Sequence, residues 1–296
     1  MSNKRFTGAG VALVTPFNEQ GDIDIPSVHS LVEWHLESGT DMILPSGTTG
    51  EAATLSKDEF AELVTAVLEV VDGRIPVIPG TGTNSTAKVI EMSQLAQSLG
   101  ADGVLVVSPY YNKPTQAGLY EHYKAVAESI EIPVVMYNVP GRTSSNISAE
   151  TQLRLAEIPN IVATKEASGN FKQIMHIIDN CPDDFSVLSG DDSDAFSIVA
   201  LGGDGVVSVV ANEMPAEMSK MIEQALSGNF AGARELHYTM LPLMEANFFE
   251  TNPIPVKTVL AAMGKIQEKF RLPMVPIADE NRKKLLAVAK SMGLIS

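Results

Sequence analysis

A lysine at position 165 closes the apolar run Ile161-Val162-Ala163-Thr164, and hydroxyl-bearing residues close or follow several similar runs. A lysine held among apolar neighbours loses hydration. That disfavours its ammonium form and leaves a neutral amine able to attack a carbonyl carbon. The competing reading is a lysine neutralised by the adjacent Glu166 or by another rim carboxylate. Tyr137 lies near the end of the run PVVMYN, and a phenol beside an amine can relay the protons exchanged as a carbinolamine forms and dehydrates. Thr48 offers it a hydroxyl partner, and Tyr111 a further link to solvent. Taken singly, each tyrosine reads equally well as filler at a barrel mouth. Together, three hydroxyls at separate run ends beside one lysine point to Schiff-base chemistry.

Two segments suit anion recognition. GTTGE (47–51) sets two hydroxyls between glycines ahead of a helix that starts near residue 57. Its backbone N–H groups and hydroxyls can cradle a carboxylate, with a plain turn as the alternative. Arg142, in VPGRT beyond Tyr137, is spaced for bidentate capture of a carboxylate, although a surface arginine would look the same. LGGDGVVS (201–208) has the glycines of a phosphate loop but no lysine, and it precedes its apolar run rather than following it. Asp191-Asp192 reads as a helix cap more readily than as a cation-ligand pair. The five histidines (29, 35, 122, 176 and 237) are scattered over helical stretches without ligand spacing, so no metal site is expected.

Such groups meet only if the fold gathers run ends. Eight short apolar runs lie near 10–16, 41–46, 76–81, 103–110, 133–138, 161–166, 185–190 and 205–210. Their spacing is that of βα units whose strands are buried on both faces. Between them lie amphipathic stretches such as 26–39, where Val28, Leu31, Val32 and Leu36 keep helical spacing before Gly39. The pattern predicts a (β/α)8 TIM barrel over residues 1–225, with its active site at the carboxyl ends of the strands. An open doubly wound sheet would show fewer strands and a glycine-rich nucleotide turn after the first. The strand signal stops after about residue 225, so residues 226–296 are expected to form a C-terminal all-helical subdomain.

Bulk properties narrow the function classes. The 296 residues are 45% hydrophobic and 19% charged, which excludes wholesale disorder. A formal charge of −15 without a basic cluster argues against nucleic-acid binding. Cys181 is the only cysteine, so no intramolecular disulfide forms and a reducing compartment fits. MSNKRFTGAG lacks the apolar segment of a signal peptide, and no apolar run is long enough to span a bilayer. A cytoplasmic enzyme is expected.

Taken together, GTTGE (47–51), SPYYNKP (108–114), YNVPGRT (137–143), ATKEASG (163–169), SGDD (189–192) and NPIPVK (252–257) resemble the dihydrodipicolinate synthase family. That family belongs to the N-acetylneuraminate lyase superfamily, and the resemblance runs the length of the chain. GTTGE and the strand-end lysine are shared across the superfamily, whereas YYN and GRT are closer to the synthases. The resemblance implies a lyase that condenses pyruvate with L-aspartate 4-semialdehyde in the diaminopimelate route to lysine, with no metal or organic cofactor. It implies that Lys165 forms the imine and that Tyr137 relays protons with Thr48 and Tyr111. Tyr111 would be lent across a subunit interface, so a homo-oligomer is implied, either a dimer or a tetramer built as a dimer of dimers. Thr48 and Thr49 would hold the pyruvate carboxylate and Arg142 that of the aldehyde, while Gly190 and Val207 would line the pocket with main chain.

One departure bears on regulation. At the positions of the family's L-lysine allosteric site this chain carries Lys57, Phe60 and Lys88, although Asn84 and Tyr110 are retained. A cation at Lys88 would repel the effector's ammonium, so inhibition by L-lysine is expected to be weak or absent. Two rival readings stand beside the synthase. One is a 2-keto-3-deoxy-sugar-acid aldolase, against which Arg142 argues. The other is a catalytically silent keto-acid-binding barrel, against which the intact Lys165, Tyr137, Thr48 and Tyr111 set argues.

Overall fold

Seven of the eight apolar runs form regular parallel strands in the computed structural model, which describes residues 4–296. They are β1 (Gly8–Ala12), β2 (Met42–Leu44), β3 (Val104–Val107), β4 (Val134–Asn138), β5 (Ile161–Glu166), β6 (Ser186–Ser189) and β7 (Gly205–Ser208). Their order in the sheet is β2-β1-β7-β6-β5-β4-β3. The run at 76–81 closes the gap between β2 and β3 as the remaining stave, although it is not a regular strand. Isolated parallel bridges join Val77 to Ile43 and Gly80 to Leu105. Pro76 and Pro79 lack N–H donors but still accept through their carbonyls from Ile43 (3.0 Å) and Leu105 (2.9 Å). The prolines thus thin the ladder without opening the barrel.

Alternation along each stave sorts the side chains. Leu44, Ile78, Leu105, Val135, Ala163, Leu188 and Val207 meet in one cluster inside the cylinder. Val106, Val134, Met136, Ile161 and Val187 face outward against helices. One helix follows each stave, in order: Ile25–Glu37, Lys57–Val71, Thr86–Leu99, Gln116–Glu128, Ala149–Leu155, Phe171–Asn180, Asp192–Ala200 and Pro215–Leu226. The second starts at a capping box. The Ser56 hydroxyl accepts from Glu59 N (3.2 Å), while the Glu59 carboxylate accepts from Ser56 N (2.8 Å). This is the (β/α)8 barrel.

Helices Phe230–Ala246, Ile254–Ala262 and Asp279–Ser291 come after it. Their buried faces, including Met240, Leu243, Met244, Val256, Val259 and Leu285, join the cluster that holds Val11, Leu13, Val210 and Met218 of the barrel. At about 1.5–3 kcal/mol per fully buried aliphatic side chain, that shared core holds the extension firmly to the barrel. Among the described residues no helix is long and apolar enough to cross a membrane.

Candidate active site

On β5 the alternation puts Lys165 in the same inward row as Ala163, and Thr164 and Glu166 in the outward row. Lys165 is 5% exposed, and its ammonium lies 4.3 Å from the ring centroid of Tyr137, its register partner on β4. Gly190, just past β6, makes room for it. A Cβ there would stand 3.0 Å from Lys165 Cγ, 3.1 Å from Cε and 2.8 Å from Ala167 Cβ. Glu166 does not neutralise the lysine, because it faces the other way. Its carboxylate accepts from Asn138 Nδ2 (2.7 Å), Gln152 Nε2 (2.6 Å), Gln173 Nε2 (3.0 Å) and Ser168 Oγ (2.6 Å). Four neutral donors thus satisfy Glu166 behind the strand and fix the direction in which β5 ends.

Burial pushes the Lys165 pKa down to about 8. Asp192 and Asp191 pull it back upward, and Arg142 adds to the fall. Asp192 is itself buried and pushed up to about 6 by desolvation, against the hydrogen bonds it receives. Its Oδ2 accepts from Val209 N (3.0 Å) and Val210 N (2.9 Å), which ties the start of the helix after β6 to the end of β7. Behind it, burial holds Glu213 well above the usual carboxylate range despite the bond from Asn247 Nδ2 (2.6 Å), and the Asp192 charge adds to that rise. Asp191 caps the helix Asp192–Ala200 by accepting from Ser193 N (3.1 Å). Burial likewise lifts Tyr137 to about 12, with the Arg142 charge and a hydrogen bond to Thr48 opposing. At neutral pH the phenol therefore holds its proton and can donate it.

The GTTGE loop is braced from two sides. The Thr15 hydroxyl, beyond β1, donates to Gly50 O (2.7 Å). Glu51 adopts a left-handed backbone (φ 52°), and its buried carboxylate receives Lys257 Nζ at 2.5 Å and Arg271 N at 3.2 Å. The side chains of Lys257 and Glu51 are 0% and 1% exposed. The Lys257 ammonium also lies 4.4 Å from the Phe17 ring centroid. Asn252 Nδ2 donates to the Thr49 hydroxyl (2.8 Å). Thr49 is 2% exposed and Thr48 exposed, so the loop shows its two hydroxyls differently.

The structure brings Lys165, Tyr137, Thr48, Gly190 and the Arg142 charge together, with Thr49 in the adjoining loop. Arg142 sits on the short exposed helix Pro140–Thr143. Val207 is 1% exposed, with main chain in register with Gly10. Tyr111 stands apart, 88% exposed with a left-handed backbone (φ 68°), and among the described residues it makes no hydrogen bond. Sequence reasoning placed Asp192 here only as half of a capping pair with Asp191, and passed over Glu213, Asn252 and Lys257 as parts of this region. Only the NPIPVK stretch carried a signal for the last two, and it named no partner.

The model of the dihydrodipicolinate synthetase family matches residues 5–292. A 4-hydroxy-tetrahydrodipicolinate synthase of Koribacter versatilis is 51% identical over 292 residues, covering 98% of this chain and 97% of that one. Dihydrodipicolinate synthase from Aquifex aeolicus superposes with a TM-score of 0.96 at 47% identity, covering 98% of this chain and 99% of that one. The chloride-inhibited enzyme of Acinetobacter baumannii, solved with pyruvate, superposes equally well (TM-score 0.96) at 46% identity, covering 98% and 99% of the two chains. This chain belongs to the dihydrodipicolinate synthetase family.

Proposed function

We propose that this protein performs 4-hydroxy-tetrahydrodipicolinate synthesis, a lyase reaction of the class I aldolase type, through an imine between Lys165 and pyruvate. The neutral amine attacks C2 of pyruvate, and the Tyr137 phenol protonates the departing hydroxyl as water leaves. The iminium nitrogen then draws electrons from C3, which loses a proton and becomes the nucleophile. It attacks the aldehyde carbon of L-aspartate 4-semialdehyde and forms the carbon–carbon bond. The amino group of that second substrate displaces the lysine at C2, closing the ring as (4S)-4-hydroxy-2,3,4,5-tetrahydrodipicolinate and restoring the free amine. No step calls on a metal or an organic cofactor.

The site residues take the following parts. Tyr137, hydrogen-bonded to Thr48, moves protons at the nitrogen and the departing oxygen of the carbinolamine. Thr48 and Thr49 hold the pyruvate carboxylate, Arg142 receives the carboxylate of the aldehyde, and the main chain of Gly190 and Val207 lines the pocket. Tyr111 completes the proton relay of a neighbouring subunit. An exposed tyrosine on a left-handed turn suits that export better than a place in its own pocket. The working unit is thus a homo-oligomer, as a dimer or as a tetramer of two dimers, and a cytoplasmic setting suits a reducing, biosynthetic role.

The buried amine of Lys165 against the Tyr137 ring carries this reading. The test is borohydride reduction in the presence of pyruvate, followed by mass spectrometry and peptide mapping. A single reduced adduct at Lys165, lost in Lys165→Arg, supports it. An adduct elsewhere or full turnover by Lys165→Arg removes it.

A further inference from the structure

Asn252 and Thr49 meet across 203 residues of chain in a buried hydrogen bond whose direction matters. A threonine hydroxyl has one proton to give and two lone pairs with which to accept. Asn252 Nδ2 donates to Thr49 Oγ1 at 2.8 Å and occupies one of those lone pairs. The hydroxyl proton is then left to point away from Asn252, free for an acceptor. A substrate carboxylate can only accept hydrogen bonds. A threonine serving it must keep its proton free, and an acceptor at position 252 would take that proton. Asn252 is 5% exposed and its Oδ1 has no partner, so the amide is held where water does not readily replace it.

We infer that Asn252 is a positioning residue that sets the donor sense of Thr49, so that the C-terminal extension polarises the pyruvate carboxylate site without touching substrate. The inference rests on the proposed role of Thr49, and its test separates the two ideas. Chain placement supports it. Asn252 lies just before the helix Ile254–Ala262, whose Lys257 grips Glu51 two residues beyond Thr49. The amide and the loop are therefore pinned to one rigid body. No charged group is hydrogen-bonded to Thr49 or Asn252 among the described residues.

The experiment compares Asn252→Asp, Asn252→Ala and Thr49→Val by KM for pyruvate and by borohydride trapping of the pyruvate adduct. The aspartate is nearly isosteric but accepts where asparagine donates. It captures the Thr49 proton and brings a like charge toward the substrate. A charge-assisted hydrogen bond of this kind corresponds to about 10- to 100-fold in affinity, so KM for pyruvate should rise by that order in Asn252→Asp. Asn252→Ala leaves the hydroxyl free to rotate and should raise KM less than Thr49→Val, which has no hydroxyl. A packing role predicts the reverse order, with alanine worse than the isosteric aspartate. In Asn252→Asp, lowering the pH should narrow the KM ratio to wild type, because the protonated acid donates again. Asn252→Ala should show no such recovery.

Asn252→Ala matching wild type, or exceeding Thr49→Val, overturns the inference, and this comparison decides the matter even if the aspartate variant does not fold. Asn252→Asp no worse than alanine also overturns it. An unaffected KM in Thr49→Val instead removes the assigned role of Thr49 and leaves the imine at Lys165 standing.

Discussion

The pH dependence of imine formation is the sharpest consequence of the buried amine. With Lys165 pushed down to about 8, roughly a tenth of the amine is neutral at pH 7 and about half at pH 8. An unperturbed lysine near 10.4 would be neutral in only about one molecule in two to three thousand at pH 7. Burial thus raises the reactive fraction a few hundredfold. Below the break, kcat/KM for pyruvate should climb tenfold per pH unit, then bend near pH 8 and level off. Desolvation is the largest cause; Asp192 and Asp191 trim it, and Arg142 adds to it. Asp192→Asn removes an anion that favours the ammonium, so its break should move to lower pH. Arg142→Met removes a cation that disfavours the ammonium, so its break should move to higher pH. Initial-rate borohydride trapping with pyruvate alone, from pH 6 to 10, reads the amine without the aldehyde substrate. A break above pH 9.5 in wild type, or a shift of both variants in one direction, refutes the reasoning.

Lys257→Met leaves the Glu51 carboxylate buried without its cation and should cost about 3–5 kcal/mol in urea denaturation, with weaker pyruvate binding in whatever remains folded. Gly190→Ala drives a methyl into the Lys165 chain and Ala167, so the pyruvate adduct should form at least tenfold more slowly while the melting temperature moves much less. Millimolar L-lysine should inhibit initial rates little. Lys57 is already paired with Glu91, Phe60 is buried in the core, and Lys88 is exposed. A micromolar inhibition constant would contradict that expectation.

The barrel was readable from the chain because each stave is a short Val/Ile-rich run with a helix behind it. The stave at 76–81 shows the limit of that reading. Its apolar content announced a strand, but Pro76 and Pro79 removed ladder donors, and only bridges formed. Lys165 was legible because two-residue alternation aims a strand-end side chain, and Asp191 because capping is local. Asp192 was not separable from Asp191, since which of two adjacent carboxylates turns inward depends on where β7 ends. The amide nest around Glu166 and the Asn252 and Lys257 braces were hidden for a related reason. The Glu166 donors come from different elements 2 to 28 residues away, and the Asn252 and Lys257 pairings span 203 and 206 residues, so none of them leaves a period in the chain.

The braces on the GTTGE loop also set an order of events during synthesis. The loop leaves the ribosome early, but Asn252, Lys257 and Arg271 follow its residues by 203, 206 and 220 positions. At about 5–20 residues per second, that is a delay of roughly ten to forty seconds. Through that interval the nascent barrel holds Glu51 without its lysine, and the carboxylate stays hydrated until the last helices dock. Competence to bind keto acid therefore arrives late, and a truncated translation product ending before residue 252 lacks it.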